Sequence, residues 1–484
     1  MTDKKAAKQK VFSEWRLTLG VYACVILTII FVVSLYRIKG HSDVVTFLGS
    51  RPGAISVGAA LLFVAAAVAV LRICLHASRQ GITKWRYVIV MHVAVILISI
   101  FIAEIFLRSV VHENKIGERL GSMLLYPRQW DRTVRAYQRL VQRAKSHPTY
   151  YVFDETLGFT VGKSRTSERG PYLSSVEGLR SGRAGESFER PSPGCRIALL
   201  GDSFTFGEVV PYEDTWGYRM QQRLGSQCQI LNFGVGGYGV DQMYLRYLQD
   251  VRAWRPDLVI LGFIDHDVIR TMAIYIFLMF PEGGMPFSKP RFVLKDHGLE
   301  VLNTPLPRIP EILARQSIHE LPFIDYDVNY KETEWDRPID RYVDASYVLR
   351  LFLSMYPLHE RERPEISRIQ TERINRIIFE KFTNDVKADH AVPILVYLPT
   401  ETDFPRPRWE PIALKIVREA GLPYHDLRAC VGSAGVSKLF NPAEVGGHYS
   451  PYGNQVVSDC LFREVPELRA RLIPPVHQSL GAMQ

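Results

Sequence analysis

The amino-acid sequence predicts an α/β fold with a parallel sheet, preceded by an apolar N-terminal region. From about Arg196, short apolar runs alternate with helical patterns, which is typical of a parallel sheet covered by helices on both faces. Before that point, three long apolar runs lie close together near the N-terminus. The chain has 484 residues, which is enough for two or more folded units.

The apolar runs extend from Leu17 to Tyr36, from Ala54 to Leu71 and from Tyr87 to Leu107. Each approaches the roughly 20 residues that a helix needs to cross the hydrocarbon core of a membrane. One run alone could be a buried core helix, but three in succession favour a membrane anchor of three transmembrane helices in residues 1–110. The first run has a basic flank, but it is long and lacks a small-x-small cleavage pattern, so we interpret it as an anchor and not as a signal peptide.

Basic residues predict the orientation of this anchor. The N-terminal tail and the loop from Arg72 to Arg86 carry more Lys and Arg than the first loop between the runs. The positive-inside rule then places the N-terminus in the cytoplasm, and everything after Leu107 on the extracytoplasmic side of the inner membrane. The lipid bilayer is therefore an expected partner. Glu104, near the outer end of the third run, is expected to reach the interface.

The cysteines agree with an exported domain. Two of the six lie in or beside the apolar runs, and the other four allow two disulfides in three connectivities. Cys195 and Cys228 each directly precede a predicted strand, which puts them at the same end of neighbouring parallel strands. We therefore favour Cys195–Cys228 with Cys430–Cys460. Buried free thiols are the alternative.

The net charge of +9 does not indicate a nucleic-acid partner. Part of it flanks the apolar runs, and part lies on a predicted amphipathic helix from Trp130 to Lys145, whose charged face is expected in solvent. This helix belongs to an irregular lead-in segment, residues 111–190. The sequence has no histidine pair with metal-ligand spacing and no Walker-type phosphate loop, so neither a metal nor another cofactor is expected.

Residues 191–474 are predicted to form the sheet domain, and residues 475–484 a tail. The predicted strands are Ile197–Leu200, Ile230–Phe233, Leu258–Phe263, Val392–Leu398 and Tyr424–Leu427. The predicted helices are Thr215–Leu224, Gln242–Trp254, Trp409–Ala420 and Asn454–Phe462. An insertion, residues 271–384, interrupts the alternation; it is too long for a simple loop and is expected to form a helical cap or rim.

Polar motifs stand where the predicted strands end. Gly201-Asp202-Ser203 closes the first strand and precedes a helix, at the edge where open α/β sheets bind ligands. Backbone N–H groups at such a point can face an anion, such as the tetrahedral intermediate of a serine nucleophile. A glycine-rich run, residues 232–239, follows the second strand, and Gly447-His448 lies near the C-terminus.

These motifs resemble those of the SGNH (GDSL-type) hydrolase family. The runs Glu177 to Ser181 and Gly237 to Gln242 also resemble bacterial members of the family that have an N-terminal membrane anchor. Gly201-Asp202-Ser203 is similar to the first block of the family, and Asn232 to Gly237 to its glycine block. Gly447-His448 with Ser450 to Gly453 is similar to the histidine block. The resemblance covers about Tyr150 to Leu472. It implies a flavodoxin-like α/β/α domain and cleavage of ester bonds.

The resemblance also implies roles for single residues. Ser203 would be the nucleophile, and His448 the base that takes its proton and returns it to the leaving group. The backbone N–H groups of Ser203 and Gly237 would donate to the oxyanion. Asp202 and Asn232, from the same blocks, would support this arrangement.

The third block departs from the family pattern. The family has Gly-x-Asn-Asp, whose asparagine is a third oxyanion donor, whereas this chain reads Gly262-Phe263-Ile264-Asp265-His266-Asp267. Alignment on the preceding strand puts His266 in place of the asparagine, with Asp267 as a supporting residue after it. An imidazole N–H can donate as an amide does. The alternative register puts Ile264 there and removes the donor.

The acid that orients the histidine is also unusual. The family has an aspartate two or three residues before the histidine, where this chain has Gly446 and Val445. Either Glu444 takes this role, or a backbone carbonyl orients His448 and leaves a dyad. Loss of the orienting acid can cost orders of magnitude in rate.

These observations predict a serine esterase outside the cytoplasm that acts on O-acetyl groups of an envelope carbohydrate. The glycan substrate depends on the resemblance and the location alone. An O-acetyltransferase with the same serine chemistry, supplied by a membrane-protein partner, is one alternative, and a non-catalytic glycan-binding or scaffold protein is another. A general α/β-hydrolase fits less well, because Thr205 stands where its Gly-x-Ser-x-Gly elbow has the second glycine.

Overall fold

The computed structural model describes residues 85–472, except for 115–116, 169–170, 189–193, 282–285, 338–340, 357–362, 405–409 and 443–446. The apolar runs Leu17 to Tyr36 and Ala54 to Leu71 lie outside the described residues, as does the predicted tail, residues 475–484.

The helices are α1 Trp85–Val110, α2 Trp130–Ser146, α3 Ser203–Phe206, α4 Trp216–Leu224, α5 Val240–Arg246, α6 Asp265–Arg270, α7 Ile276–Met279, α8 Ile309–Leu313, α9 Arg341–Asp344, α10 Tyr347–Met355, α11 Arg368–Ala388, α12 Ile412–Glu419, α13 Arg428–Gly432, α14 Pro451–Glu464 and α15 Pro466–Leu472. The strands are β1 His112–Asn114, β2 Gly117–Leu120, β3 Met123–Leu124, β4 Tyr151–Asp154, β5 Gly158–Val161, β6 Leu173–Ser174, β7 Arg180–Ser181, β8 Cys195–Gly201, β9 Cys228–Asn232, β10 Leu258–Phe263, β11 Arg291–Lys295, β12 Gly298–Leu302, β13 Val392–Tyr397 and β14 Tyr424–Asp426.

A parallel sheet of five strands organises the fold, in the spatial order β14-β13-β10-β8-β9. Numbered along the chain, this is the order 2-1-3-4-5 of flavodoxin-like sheets. Every residue of β8 and β10 is buried, as expected for central strands with helices on both faces. The prediction of an α/β fold with a parallel sheet is confirmed.

Each face of the sheet has its own apolar core. On one face, α5 and α11 pack against the sheet, and Phe379 of α11 contacts Phe263 of β10. On the other face, α4 and α14 supply Trp216, Met220 and Leu461. Helix α11 belongs to the segment predicted to be a cap or rim, and the structure places it on the sheet.

Two disulfides lie in this part of the chain. Cys195 and Cys228 are paired neighbours at the first residues of β8 and β9, and a disulfide joins them with their Cα atoms 4.4 Å apart. A second disulfide joins Cys430 in α13 to Cys460 in α14.

The chain divides into two compact units. One contains the described residues up to Ala136 and those from Lys331 to Glu360, and the other contains the described residues from Tyr137 to Tyr330 and from Arg361 onward. The five-stranded sheet lies entirely in the second unit.

The prediction of three transmembrane helices is wrong. Within the described part of the chain, no helix has both the length and the apolar character that crossing a membrane requires. The third predicted run lies in α1, and its last turns are part of a protein core in which Phe106 and Leu107 are buried with Leu351. Apolar runs that build such a core resemble lipid-facing runs in composition, so periodicity and hydropathy alone do not separate them.

Glu104 lies in the same core region of the first unit, where it caps α10. Its carboxylate accepts hydrogen bonds from the backbone N–H groups of Tyr347 (3.0 Å) and Val348 (3.1 Å) and pairs with Arg108 at 2.7 Å. Burial alone would raise the pKa of Glu104, but these hydrogen bonds outweigh it and lower the pKa below its ordinary value. An acidic residue at a helix N-terminus stabilises the helix in this way.

Candidate active site

Ser203 lies at the carboxyl end of the central strand β8. The strand ends at Gly201, Asp202 caps the next helix by accepting a hydrogen bond from the Phe204 N–H (2.9 Å), and Ser203 is the first residue of α3. A Cβ atom on Gly201 would lie only 2.0 Å from Oγ1 of Thr205. Glycine is therefore required there, because the helix turns back so closely on the strand.

His448 contacts Ser203 directly. Its Nε2 atom lies 2.9 Å from the Ser203 Oγ atom, although the two residues are 245 positions apart in the chain. The Phe204 ring packs beside the imidazole, with 5.1 Å between the ring centroids. The next residue, Tyr449, is buried and donates a hydrogen bond to the Pro399 carbonyl (2.6 Å), which anchors the loop that carries the histidine. The structure thus brings the predicted nucleophile and its predicted base to hydrogen-bonding distance.

Asn232 connects the glycine block to the nucleophile turn. Its side-chain amide donates to the Thr205 carbonyl at 2.9 Å and accepts from the Gly234 N–H at 2.9 Å. The Val235 N–H donates to the Gly201 carbonyl at 3.1 Å. Because Asn232 is buried and its hydrogen bonds span both segments, it holds the end of β9 against the end of β8.

Gly237 adopts a backbone conformation that favours glycine, with φ at 82°. A Cβ atom on it would lie 2.6 Å from the ring of Phe280. The block therefore needs glycine at this position for two independent reasons. The predicted donation of the Ser203 and Gly237 N–H groups to an oxyanion stays a prediction.

Asp202 is part of a buried charge cluster behind the nucleophile. The Arg270 guanidinium donates to Asp202 Oδ2 (2.9 Å) and to Asp267 Oδ1 (2.7 Å), and Asp267 Oδ2 accepts from the Ile264 N–H (2.9 Å). Burial raises the pKa of Asp267 well above its usual range, the neighbouring Asp202 raises it further, and Arg270 opposes the shift. With Asp267 protonated, the negative charge of Asp202 balances the positive charge of Arg270.

The residues of the third block are separated in space. His266 is exposed in the first turn of α6, whereas Ile264, from the alternative register, is buried. Asp265 accepts a hydrogen bond from the Ala413 N–H (2.9 Å). Among the contacts of the described residues, none joins His266 to Ser203, and its role as an oxyanion donor stays a prediction.

Glu444, the predicted orienting acid, lies outside the described residues. The carboxylate that the structure does place beside His448 is Glu208, whose Oε2 atom is 3.8 Å from His448 Nε2. It is on the nitrogen that faces Ser203, so it does not take the position of an orienting acid on Nδ1. The sequence signal that could have indicated Glu208 is its position directly after Gly207, the glycine that ends α3.

Tyr151 and Arg270 were also missed by sequence reasoning. The Tyr151 hydroxyl accepts a hydrogen bond from the Gly236 N–H, and burial raises the pKa of Tyr151, as does the nearby carboxylate of Glu208. Tyr151 lies in the lead-in segment and Arg270 in α6, one turn after Asp267. Only the spacing of Asp267 and Arg270 on one helix could have indicated a pair.

Comparisons with known proteins gave matches among solved structures only. No family model matches the chain, and no curated protein does. A protein described as lipolytic and of the G-D-S-L family, from Desulfitobacterium hafniense DCB-2, is 13% identical over 56% of this chain and 99% of its own, with a TM-score of 0.29. A lipase/acylhydrolase from Enterococcus faecalis is 13% identical over 58% and 98%, with a TM-score of 0.29.

A catalytic mutant of an acetylxylan esterase from Geobacillus stearothermophilus is 13% identical over 57% of this chain and 97% of its own, with a TM-score of 0.29. Because the identities and TM-scores are low, we base the functional conclusion on the geometry of Ser203 and His448.

Proposed function

We propose that the protein is a serine esterase that hydrolyses carboxylic esters through Ser203 and His448. The observation that carries this proposal is the 2.9 Å distance between Ser203 Oγ and His448 Nε2 at the carboxyl end of the central strand. A serine hydroxyl is a weak nucleophile until a base takes its proton, and an imidazole is suited to that task near neutral pH. A non-catalytic glycan-binding or scaffold protein would not need this contact between Ser203 and His448, so the contact favours an enzyme.

The reaction follows from these atoms. His448 Nε2 takes the proton of Ser203 as Oγ bonds to the ester carbonyl carbon, and the negative charge moves to the carbonyl oxygen. When the carbonyl re-forms, the bond to the alcohol oxygen breaks and His448 returns the proton to that oxygen. A water molecule then repeats the sequence on the acyl-serine, which releases the acid and restores the free hydroxyl.

We further propose that the acyl group is acetyl and that the alcohol is a carbohydrate outside the cytoplasm. The Phe280 ring supports the small acyl group, because it packs against Gly237, the expected oxyanion donor, and leaves little room there. The two disulfides support an oxidising compartment, where such bonds persist. Transfer of the acyl group to a sugar hydroxyl would use the same acyl-serine and differ only in the acceptor.

The test is release of p-nitrophenol from p-nitrophenyl acetate by the full-length protein, beside Ser203→Ala and His448→Ala. We expect each variant to lose at least 1,000-fold in kcat/KM, on the order seen when one member of a catalytic pair is removed. Ser226→Ala and His297→Ala, which change exposed residues that take no part in the proposed mechanism, are the matched controls and should keep the rate. Equal turnover in wild type and Ser203→Ala would overturn the proposal.

An added oligosaccharide separates hydrolysis from transfer. With hydrolysis, acetate appears in equal amount to p-nitrophenol whatever the oligosaccharide concentration. With transfer, acetate falls short of p-nitrophenol and acetylated sugar makes up the difference.

A further inference from the structure

Glu208 lies beside His448, on the ring nitrogen that contacts Ser203. Its Oε2 atom is 3.8 Å from His448 Nε2, the same nitrogen that is 2.9 Å from Ser203 Oγ. In the proposed reaction this nitrogen returns a proton to the departing alcohol oxygen. The carboxylate of Glu208 therefore borders the place that the alcohol part of the ester occupies.

The backbone ties Glu208 to the nucleophile. Helix α3 ends at Gly207 in the left-handed conformation, and the N–H groups of both Gly207 and Glu208 donate to the Ser203 carbonyl at 3.0 Å. This arrangement closes the turn around Ser203. The start of the Glu208 side chain is thus fixed relative to the Ser203 hydroxyl.

The residue after Glu208 is held in a strained conformation. Val209 has φ at 67°, which is a marked outlier for a β-branched side chain, and its N–H donates to the Tyr172 hydroxyl at 2.9 Å. Such a conformation costs on the order of 1–3 kcal/mol and persists only where the surroundings impose it; it is concentrated at functional sites. The hydrogen bond to Tyr172 is a contact that holds the chain in this conformation directly after Glu208.

The other side of the carboxylate faces the glycine block. Glu208 Oε2 lies 3.1 Å from the point where a Cβ of Gly236 would be, next to the Tyr151 hydroxyl. The carboxylate therefore lies between His448 and the glycine block. The side chain is 33% exposed, so a bound molecule can reach it.

We propose that Glu208 accepts a hydrogen bond from a hydroxyl group on the alcohol part of the substrate, next to the ester oxygen. The substrates would then be esters of polyols, such as sugars, in which a free hydroxyl neighbours the acylated one. A carboxylate only accepts hydrogen bonds and repels anions, so it favours neutral hydroxylated alcohols over anionic ones. This inference rests on the proposed function and adds which side chain recognises the alcohol.

The experiment compares two esters that differ by one hydroxyl, ethyl acetate and 2-hydroxyethyl acetate, by acetate release from the full-length protein. We expect wild type to prefer the hydroxylated ester, and Glu208→Ala to lower the ratio of the two kcat/KM values by about tenfold or more, as for loss of a hydrogen bond to a charged group. Glu208→Gln, which keeps a neutral acceptor, should fall between. Glu213→Gln, a nearby exposed acid, is the control and should keep the ratio.

The outcomes separate the two proposals. If turnover depends on Ser203 but the ratio is the same in Glu208→Ala and wild type, the role of Glu208 is overturned and the esterase function stands. An equal loss on both esters also overturns it, because the carboxylate would then act on His448 and not on the alcohol. Turnover that is the same in Ser203→Ala as in wild type overturns the function and this inference together.

Discussion

The Arg270 guanidinium lies 2.9 Å from the carboxylate of Asp202, the residue directly before the nucleophile. Asp202 in turn holds the first turn of α3 through the Phe204 N–H. A buried cation thus positions the anion that caps the nucleophile turn, and the geometry of Ser203 depends on a residue in another helix.

Removal of this cation should destabilise the protein. We expect Arg270→Met to lower the free energy of unfolding by about 3 kcal/mol, because it leaves a buried carboxylate without its partner. The measurement is equilibrium unfolding in urea. Arg252→Met is the matched control; that arginine pairs with Asp389 at an exposed position, where an ion pair contributes about 1 kcal/mol or less.

The raised pKa of Asp267 predicts a pH dependence of stability. At a pH between the ordinary pKa of an aspartate and the raised pKa of Asp267, the folded protein keeps a proton on Asp267 that the unfolded chain has lost. The free energy of unfolding therefore falls as the pH rises through this range, by up to about 1.4 kcal/mol per pH unit. Asp267→Asn, which is neutral at every pH, should lack this contribution. Parallel slopes for the two proteins in the pH range directly above the ordinary pKa of an aspartate would contradict the prediction.

The left-handed conformation of Gly237 and its contact with Phe280 predict the effect of an added methyl group. We expect Gly237→Ala to reduce kcat/KM on p-nitrophenyl acetate by at least tenfold, because the Cβ atom would push the glycine block away from the ring. Gly225→Ala is the control, since Gly225 also has a positive φ but open space around its Cβ position. It should lose about 1 kcal/mol of stability from backbone strain and keep the rate. Equal rates in both variants would contradict the prediction.

The disulfide between the first residues of β8 and β9 should contribute to stability. It joins residues 33 positions apart, for which the entropy of loop closure corresponds to about 3–4 kcal/mol. We expect Cys195→Ser with Cys228→Ser to lower the unfolding free energy by up to this amount. Thiol titration of the unfolded, unreduced wild type should find none of Cys195, Cys228, Cys430 and Cys460 free, and a reactive thiol at Cys195 would contradict the assignment.

The parts that the sequence predicted are those with a local signal. β8 and β10 are continuous apolar runs, and Gly201-Asp202-Ser203 follows one of them directly, so both the sheet and the place of the nucleophile could be predicted. Arg270 and Tyr151 act through contacts between distant segments and carry no motif of their own. Only the fold brings them to the site.

The error over the membrane helices has a related cause. The run that ends at Leu107 has its last turn, with Phe106 and Leu107, packed against α10, which lies more than 230 residues further along the chain. Hydropathy records that a side chain avoids water, and it does not record whether protein or lipid replaces the water. Glu104 was the residue of this run that argued against a membrane helix, because its carboxylate accepts two backbone hydrogen bonds from another helix of the protein.

The separation of Ser203 and His448 by 245 positions has a consequence for biosynthesis. While the polypeptide is being made, the nucleophile emerges long before its base, and β13 and β14 of the sheet have still to follow. In the proposed mechanism, a nascent chain therefore carries an unactivated Ser203 hydroxyl until translation has passed His448. All five strands of the sheet have therefore been synthesised before His448 can meet Ser203.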